Sequence, residues 1–296
     1  MKERTKRFIN ACDCLTPQIK NILIHIKECE ICEEIRLRAG RPIYAVWNDK
    51  EHKLGEYIIT QNNLQEILSR AARYSVHSYS EYIAQGFLPL DGGHRLGICG
   101  TAVINNGKIS GIRTISSLNL RIAQEYLGCA DSLMPHIFFK NGRPKNVLIL
   151  SPPAYGKTTI LRDLIRQVSN KGVRISVADE RGELTALNNG IAQFDIGTHT
   201  DIIEAPKAEA VLMLLKTMSP KIIALDEITS PDDLKAIDYA CNCGVSIFAS
   251  AHAISIDDLK NRPLYNEMMK LNIFDIIISL EKHENTRKIN ILQGGI

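Results

Sequence analysis

Residues 151 to 159 combine small residues, a lysine and two threonines in a spacing that binds phosphate. The segment fits GxxxxGK[ST], with serine at the first position, and lies between an apolar run and a run with helical apolar spacing. Backbone N–H groups of such a loop and of the following helix point into one concavity that holds phosphate oxygens. The predicted nucleotide-binding residues are Ser151, Pro152, Pro153, Ala154, Tyr155, Gly156, Lys157, Thr158 and Thr159.

Two side chains of this loop have chemistry of their own. Lys157 is expected to reach the β- and γ-phosphates of ATP, and the Thr158 hydroxyl is expected to ligate Mg²⁺. Ser151 stands where the motif has glycine, a residue that is favoured there for its backbone freedom. We therefore expect an altered loop shape or nucleotide affinity.

A second motif places two carboxylates at the end of an apolar run. Residues 221–225 are followed by Asp226 and Glu227. In a sheet that carries a phosphate-binding loop, a strand-end aspartate holds the Mg²⁺ shell and a neighbouring glutamate orients or deprotonates the attacking water. Asp226 is therefore the predicted metal ligand beside Thr158, and Glu227 is the predicted catalytic base. The pair favours hydrolysis over a switch that only binds nucleotide.

Two further strand ends carry polar residues. Asp179 and Glu180 follow one apolar run, and His252 ends another. Strand carboxyl ends line the ligand crevice of an open α/β sheet. Glu180 is predicted either to direct Mg²⁺ or water, or to form a structural ion pair with Arg181. His252 is predicted either to sense the γ-phosphate or to be a simple strand-end histidine.

Arginines recur upstream of the phosphate loop, at Arg95, Arg113 and Arg121. An arginine supplied by a neighbouring subunit can stabilise charge on a transferring phosphoryl group. Arg95 and Arg113 are the candidates for this role. The alternative is that each is a solvated surface charge.

The elements that position these residues divide near residue 141. Residues 1–140 predict a small α+β domain, with strands starting at Glu34 and Ile43 and a hairpin turning at Asn105-Asn106-Gly107. Residues 141–296 alternate short Val- and Ile-rich runs with helical segments. This alternation predicts an α/β fold in which a parallel sheet is covered by helices on both faces.

Composition sets the remaining limits. The chain has 296 residues, a net charge of +3 and 6% aromatic residues, which disfavour a nucleic-acid groove. No apolar run approaches the roughly 20 residues of a membrane helix, and no signal peptide is apparent, so a cytoplasmic protein is expected. Cysteines 12, 14, 29 and 32 are expected to be reduced thiols, with a metal site as the less favoured alternative.

The motifs together resemble a known family. Residues 214–228 and 244–252 resemble the corresponding stretches of type II and type IV secretion ATPases. Residues 34–38, 94–97, 179–181 and 198–201 are similar to the stage III sporulation protein AA family of spore-forming Firmicutes, and the similarity covers nearly the whole chain.

The resemblance implies a RecA-like P-loop ATPase that uses ATP and Mg²⁺. It also implies a ring, a hexamer, in the mother-cell cytoplasm beneath the membrane proteins of a sporulation channel. Such a protein would be peripheral to the membrane, and no nucleic acid is expected as a partner. The alternatives are a RecA-like motor that binds nucleic acid and a scaffold that is ordered by nucleotide but does not turn it over.

Overall fold

The computed structural model describes residues 3–74, 79–153, 155–253, 258–259, 261–283 and 286–293 of a chain that divides into two compact units. The first unit comprises residues 1–125 and 188–193, and the second comprises residues 126–187 and 194–296. The limits of 1–140 and 141–296 for two sequence-defined domains stay a prediction.

The first unit is an antiparallel sheet packed against short helices, which confirms the expected α+β module. Its strands are ordered β3-β2-β1-β6-β5-β4. Neighbouring strands in this order are antiparallel. The elements are β1 (Glu34–Arg38), β2 (Pro42–Trp47), β3 (Lys50–Ile58), β4 (Phe87–Pro89), β5 (Arg95–Asn105), β6 (Lys108–Arg121), α1 (Glu3–Ala11), α2 (Pro17–Leu23), α3 (Gln61–Ala71) and α4 (Ser80–Ala84).

Alternating burial explains the first sheet. In β1, Ile35 and Leu37 are fully buried, whereas the charged residues between them are half-buried. The buried side chains join those of Phe8 and Ile67 from the helices in one apolar core. This alternation is the period-two pattern that the sequence shows at residues 34–38.

A helix predicted over 77–85 corresponds to α4, while 77 and 78 lie outside the described residues.

A later piece of chain completes the first unit. Residues 188–193 form a tight turn bridged between Asn188 and Ile191. The Asn188 side chain donates to Asp91 Oδ1 at 2.9 Å, and the Gly92 backbone N–H donates to Gln193 Oε1 at 2.6 Å. These bonds satisfy polar groups around residues 91–92 that would otherwise need water.

The four N-terminal cysteines are thiols in or beside the first core. Cys12, Cys14 and Cys32 are buried and Cys29 is half-buried. Burial raises the pKa of Cys14 and of Cys32 to about 12, which disfavours the thiolate that metals bind. Within the described ranges, no cluster of three or more His, Cys, Asp or Glu side chains is arranged to hold a metal ion. These observations favour the thiol interpretation.

The second unit is a largely parallel sheet between helices, as the sequence predicts. The strand order is β13-β12-β7-β11-β10-β8-β9, and β13 pairs antiparallel with β12 at one edge. The elements are β7 (Val147–Ser151), β8 (Ile175–Ala178), β9 (Thr200–Ile203), β10 (Ile222–Leu225), β11 (Ser246–His252), β12 (Ile276–His283), β13 (Thr286–Gln293), α5 (Lys157–Ser169), α6 (Lys207–Thr217), α7 (Pro231–Asn242) and α8 (Pro263–Lys270).

Local sequence explains where these elements begin and end. Strands β7, β8 and β10 are buried at every position, so they read as continuous apolar runs instead of alternating ones. Helix α7 starts at a capping box, in which Ser230 Oγ accepts from the Asp233 N–H and the Asp233 carboxylate accepts from the Ser230 N–H. Of the helices in the described ranges, none has the length and apolarity that crossing a bilayer requires.

A buried histidine makes the stability of the first unit depend on pH. His94 is 1% exposed; its Nδ1 accepts from the Ala123 N–H at 2.9 Å, and its Nε2 has no hydrogen-bond partner. Burial, aided by the nearby Arg7 charge, lowers the pKa of His94 from 6.5 to about 4. The native state therefore excludes a proton that the unfolded chain binds below pH 6.5.

We predict that the first unit loses about 2–3 kcal/mol of unfolding free energy as the pH falls from 6.5 to 4. The measurement is urea unfolding followed by the fluorescence of Trp47, the one tryptophan of the chain. In His94→Asn, the amide oxygen can still accept from Ala123 while the titrating ring is absent, so the pH slope should flatten. An equally steep slope in this variant would contradict the assignment to His94.

Candidate functional site

Strand register brings the predicted site residues together at one edge of the second sheet. Ser151, the last residue of β7, pairs with His252, the last residue of β11. Leu225, the last residue of β10, pairs with Ala249 and with Ala178. Because these strands run parallel, the polar residues at or just beyond their ends meet at the same edge. The site is therefore built by buried apolar strands that end in polar residues.

The last residue before α5 has a backbone conformation for which glycine is favoured. Gly156 adopts φ 86° and ψ 27°, a left-handed conformation that disfavours other residues, and α5 begins at the next residue, Lys157. The first N–H groups of α5 have no intrahelical partner, so they are available to an anion. Thr158 and Thr159 lie in this first turn, Pro152, Pro153 and Tyr155 lie in the loop, and Ala154 lies outside the described residues.

Serine at the first loop position fits the strand without glycine's freedom. Ser151 is buried at the end of β7 with ordinary negative φ, and its hydroxyl donates to the Pro152 carbonyl oxygen at 2.9 Å. The backbone freedom of glycine is therefore not needed at this position in this chain.

Lys157, His252 and Glu227 form a continuous chain of contacts. Lys157 Nζ lies 3.0 Å from His252 Nδ1, and His252 Nε2 lies 3.1 Å from Glu227 Oε2. These contacts fit a neutral imidazole that accepts from the ammonium at Nδ1 and donates to the carboxylate from Nε2. The histidine thus connects the lysine of the loop to the carboxylate after β10.

The ammonium of Lys157 is held in a partly desolvated position. The residue is 6% exposed, and burial lowers the pKa of Lys157, while the charges of Asp226 and Glu227 act in the opposite direction. A bound polyphosphate would add negative charge beside this ammonium and favour its charged form. A partly desolvated ammonium beside the first turn of a helix is an arrangement in which proteins hold anions.

Thr158, Asp226 and Ser250 form a cluster of oxygen atoms beside that chain. Thr158 Oγ1 donates to Asp226 Oδ2 at 3.3 Å, and Ser250 Oγ donates to Asp226 Oδ1 at 3.0 Å. Hydroxyl and carboxylate oxygens are the ligands that Mg²⁺ prefers, and Mg²⁺ commonly takes only one or two protein groups beside water and phosphate. The residues present therefore fit Mg²⁺, with Thr158 and Asp226 as its protein ligands.

Glu180 has a buried lysine as its partner. Lys207 is 5% exposed, and its Nζ donates to Glu180 Oε2 at 2.7 Å and to Thr229 Oγ1 at 3.3 Å. Its Nζ also lies 3.8 Å from the buried carboxylate of Asp233. Lys207 thus links the segment after β8 to the segment after β10. Sequence reasoning missed this residue, because a lysine at a helix start gives no signal of burial.

Asp179, next to Glu180, has a structural role. It is fully buried and accepts from the N–H groups of residues 183 to 185 and from the Thr185 hydroxyl, at 2.7 to 3.2 Å. Arg162 of α5 donates to the carbonyl oxygens of residues 183 and 184 and stacks on Phe194, with 3.5 Å between guanidinium carbon and ring centroid. These bonds fix the segment that carries Glu180.

Two residues of the chain after β11 also support the site, although no motif in the sequence marks them. Arg262 donates to the His252 carbonyl oxygen at 3.1 Å, and the Tyr265 hydroxyl donates to the Ile228 carbonyl oxygen at 3.2 Å.

Arg95 and Arg113 lie in the first unit. The guanidinium carbon of Arg95 lies 5.5 Å from the centroid of the Phe87 ring, and Arg113 is exposed on β6.

The fold defines the class of protein. The X-ray structure of the Legionella pneumophila ATPase DotB aligns with a TM-score of 0.62 at 12% identity, covering 93% of this chain and 80% of that one. The pilus retraction motor PilT with bound ADP aligns with a TM-score of 0.59 at 16% identity, covering 90% of this chain and 80% of that one. The chain therefore has the RecA-like fold of these two structures.

Sequence comparison narrows the class to a family. The profile described as "Sporulation stage III, protein AA" matches residues 3–294. The Stage III sporulation protein AA of Bacillus subtilis (strain 168) is 36% identical over 279 residues, covering 91% of this chain and 90% of that protein. This chain belongs to the stage III sporulation protein AA family. Protein SEEDLING PLASTID DEVELOPMENT 1 of Arabidopsis thaliana is 21% identical over 256 residues, which are 85% of this chain and 34% of that protein.

We predict that Lys207 and Glu180 are energetically coupled. A double-mutant cycle with Lys207→Met and Glu180→Gln should give about 1 kcal/mol, because one partner is buried and the other is partly exposed. The measurement is the unfolding free energy of the two single variants and the double variant. The exposed pair Lys235 and Asp232, 2.9 Å apart, is the matched control and should show no measurable coupling. Equal coupling in both pairs would contradict a special role for Lys207.

Proposed function

We propose that this protein binds ATP with Mg²⁺ at the carboxyl edge of β7, β11 and β10 and hydrolyses it. The observation that supports this most directly is the contact chain from Lys157 through His252 to Glu227, beside Thr158 and Asp226. Each of these side chains is of the type that phosphoryl transfer to water needs at its position. Fold similarity to secretion and pilus ATPases supports the same reaction class.

Each residue has a defined role in the proposed reaction. The N–H groups at the start of α5 and the Lys157 ammonium bind the phosphates and offset their charge. Glu227 accepts a hydrogen bond from the attacking water and orients it for in-line attack on the γ-phosphorus. His252 senses the γ-phosphate, because it contacts both the phosphate-binding lysine and the base. Mg²⁺, held by Thr158 and Asp226, would neutralise charge on the phosphate oxygens.

Family membership and the resemblance to secretion ATPases support the following proposal for the biological setting. The protein forms a ring, a hexamer, on the mother-cell side of the membrane. It energises a sporulation channel by contacting the membrane proteins of that complex, and nucleic acid is not a substrate. The acidic pair Asp226 and Glu227 favours turnover over a role as a nucleotide-ordered scaffold.

We predict that Lys157→Ala abolishes ATP hydrolysis and that Glu227→Gln slows it at least about tenfold while ATP still binds. The lysine contacts phosphate directly, whereas the glutamine keeps the shape of the base without its charge. The measurements are phosphate release and binding of a fluorescent ATP analogue. The exposed residues Lys171 and Glu267 provide matched controls, and Lys171→Ala and Glu267→Gln should leave the rate unchanged.

Three results would redirect this assignment. Normal turnover in Lys157→Ala would refute the proposed ATP site. A silent Glu227→Gln together with an inactive Glu180→Gln would move the base to Glu180, which lies beside Lys207. Stimulation of the wild-type rate by single-stranded DNA would favour the nucleic-acid motor instead.

We predict that an arginine of the first unit completes the site of a neighbouring subunit. Arg113 is the stronger candidate, because it is exposed, whereas Arg95 stacks on Phe87. Arg113→Ala should lower the rate by a large factor, since arginines in this role contribute about 10³–10⁵ in rate. Mixing Arg113→Ala with Lys157→Ala should restore part of the activity, because some mixed sites pair an intact arginine with an intact lysine.

The same experiment with Arg95→Ala distinguishes the two arginines. Arg121→Ala is the matched control for Arg113→Ala, because both arginines are exposed residues of β6. Arg121 Nε lies 3.6 Å from Glu34 Oε1. If neither Arg95→Ala nor Arg113→Ala reduces activity alone, a shared site built from these residues is refuted.

A further inference from the structure

Strands β5 and β6 extend beyond the first sheet as a two-stranded ribbon. On one side, β4 pairs with β5 only from Arg95 to Gly97, and on the other, β1 pairs with β6 only from Ser117 to Arg121. Every residue from 99 to 110 is exposed. A hairpin without neighbouring strands is marginally stable in water. Residues 99–110 of the ribbon therefore lie outside the core of the first unit and are accessible to a binding partner.

The end of the ribbon carries an apolar pair that water would not favour. Ile104 and Ile109 are cross-strand partners next to the Asn106-Gly107 turn, and they are 66% and 55% exposed. Val103, beside them, is 37% exposed. Exposed apolar residues scattered singly are normal on a protein surface, but a cross-strand pair of exposed isoleucines at the end of a projection indicates a contact surface.

The ribbon carries cations and no acidic residue. The sequence contains no Asp or Glu between Asp91 and Glu125, although the whole protein has 33 acidic residues. Over the same stretch it has Arg95, Lys108, Arg113 and Arg121, of which Lys108 lies at the turn. Lys108 lies at the apolar end itself, and the exposed Arg113 follows Ile109 by four positions on β6, so this end is complementary to a surface that is apolar inside and anionic outside.

We propose that the end of this ribbon, residues 103–110, docks on a bilayer that contains anionic phospholipid. Ile104 and Ile109 would enter the boundary between headgroups and acyl chains, and Lys108 would contact lipid phosphate. This contact is made by the first unit and does not require the proposed ATPase reaction.

Two other kinds of partner fit the ribbon less well. Nucleic-acid-binding ribbons use several cations and stack bases on aromatic rings, whereas β5 and β6 contain no aromatic residue. A stable contact with a second protein copy needs about 20–30 residues on each side, far more than the eight residues from 103 to 110 provide. Both partners are nevertheless outcomes of the test below.

The test is flotation of the full chain with vesicles. Half-phosphatidylglycerol, half-phosphatidylcholine vesicles at low salt should carry the protein upward in a density gradient, and pure phosphatidylcholine vesicles should carry much less. Ile104→Ser with Ile109→Ser should lower the partition coefficient at least about tenfold, since both apolar side chains are lost from the contact. Lys108→Glu should also weaken binding, and high salt should weaken it in the wild type.

Matched controls lie on β3, at the opposite edge of the sheet. Ile58→Ser and Lys50→Glu change an exposed isoleucine and an exposed lysine of the same unit and should bind vesicles as the wild type does. Lys157→Ala should also bind normally, which separates this proposal from the proposed ATPase. Unchanged Trp47 fluorescence in the double serine variant shows that the unit remains folded.

Three results would overturn the proposal. The first is absence of flotation with anionic vesicles, or flotation that survives the double serine substitution. The second is a change of sedimentation coefficient in the double variant without lipid, which would assign the ribbon end to contacts between copies. The third has two parts. Single-stranded DNA, added at a charge equal to that of the anionic lipid, displaces the protein from vesicles, and the DNA binds directly to residues 103–110.

Discussion

Parallel pairing among β7, β11, β10 and β8 is the constraint on which the candidate site depends. The strands are buried along nearly their whole length, so a shift of register would move apolar residues out of the core. The native register places the end of β7 beside one side of the end of β11, and it places the residues after β10 beside the other. Polar side chains from distant parts of the sequence therefore meet because apolar residues hold the strands in place.

Around this edge, the segments that carry carboxylates are fixed by buried polar bonds. Asp179 closes the turn after β8 through backbone N–H groups, and Asp233 caps α7 while facing Lys207. Both carboxylates are buried, and satisfied buried polar groups define one conformation more strictly than apolar contacts do. Glu227 differs from these two buried carboxylates. In the described structure its carboxylate is paired with the side chains of His252 and Arg181, so it can exchange partners when a ligand binds.

Sequence reasoning predicted the parts of the site that are local in the chain. Helix α5 begins and ends at the predicted residues 157 and 169, because the glycine before it and the apolar spacing within it act over a few positions. Contacts that depend on tertiary packing were not predictable. Lys207 meets Glu180 across 27 positions, and no periodic pattern in the sequence marks that pairing. His252, by contrast, lies at the end of β11, where the sequence predicts it.

The return of residues 188–193 to the first unit has a consequence for synthesis on the ribosome. Residues 1–125 emerge first, but Asp91 and Gly92 obtain their bonds to Asn188 and Gln193 only after another 68 residues, counting 193 minus 125. At a translation rate of about 5–20 residues per second, this interval lasts about 3–14 seconds. During this interval Asp91 and Gly92 lack these two bonds, and a chain truncated before residue 188 would never form them.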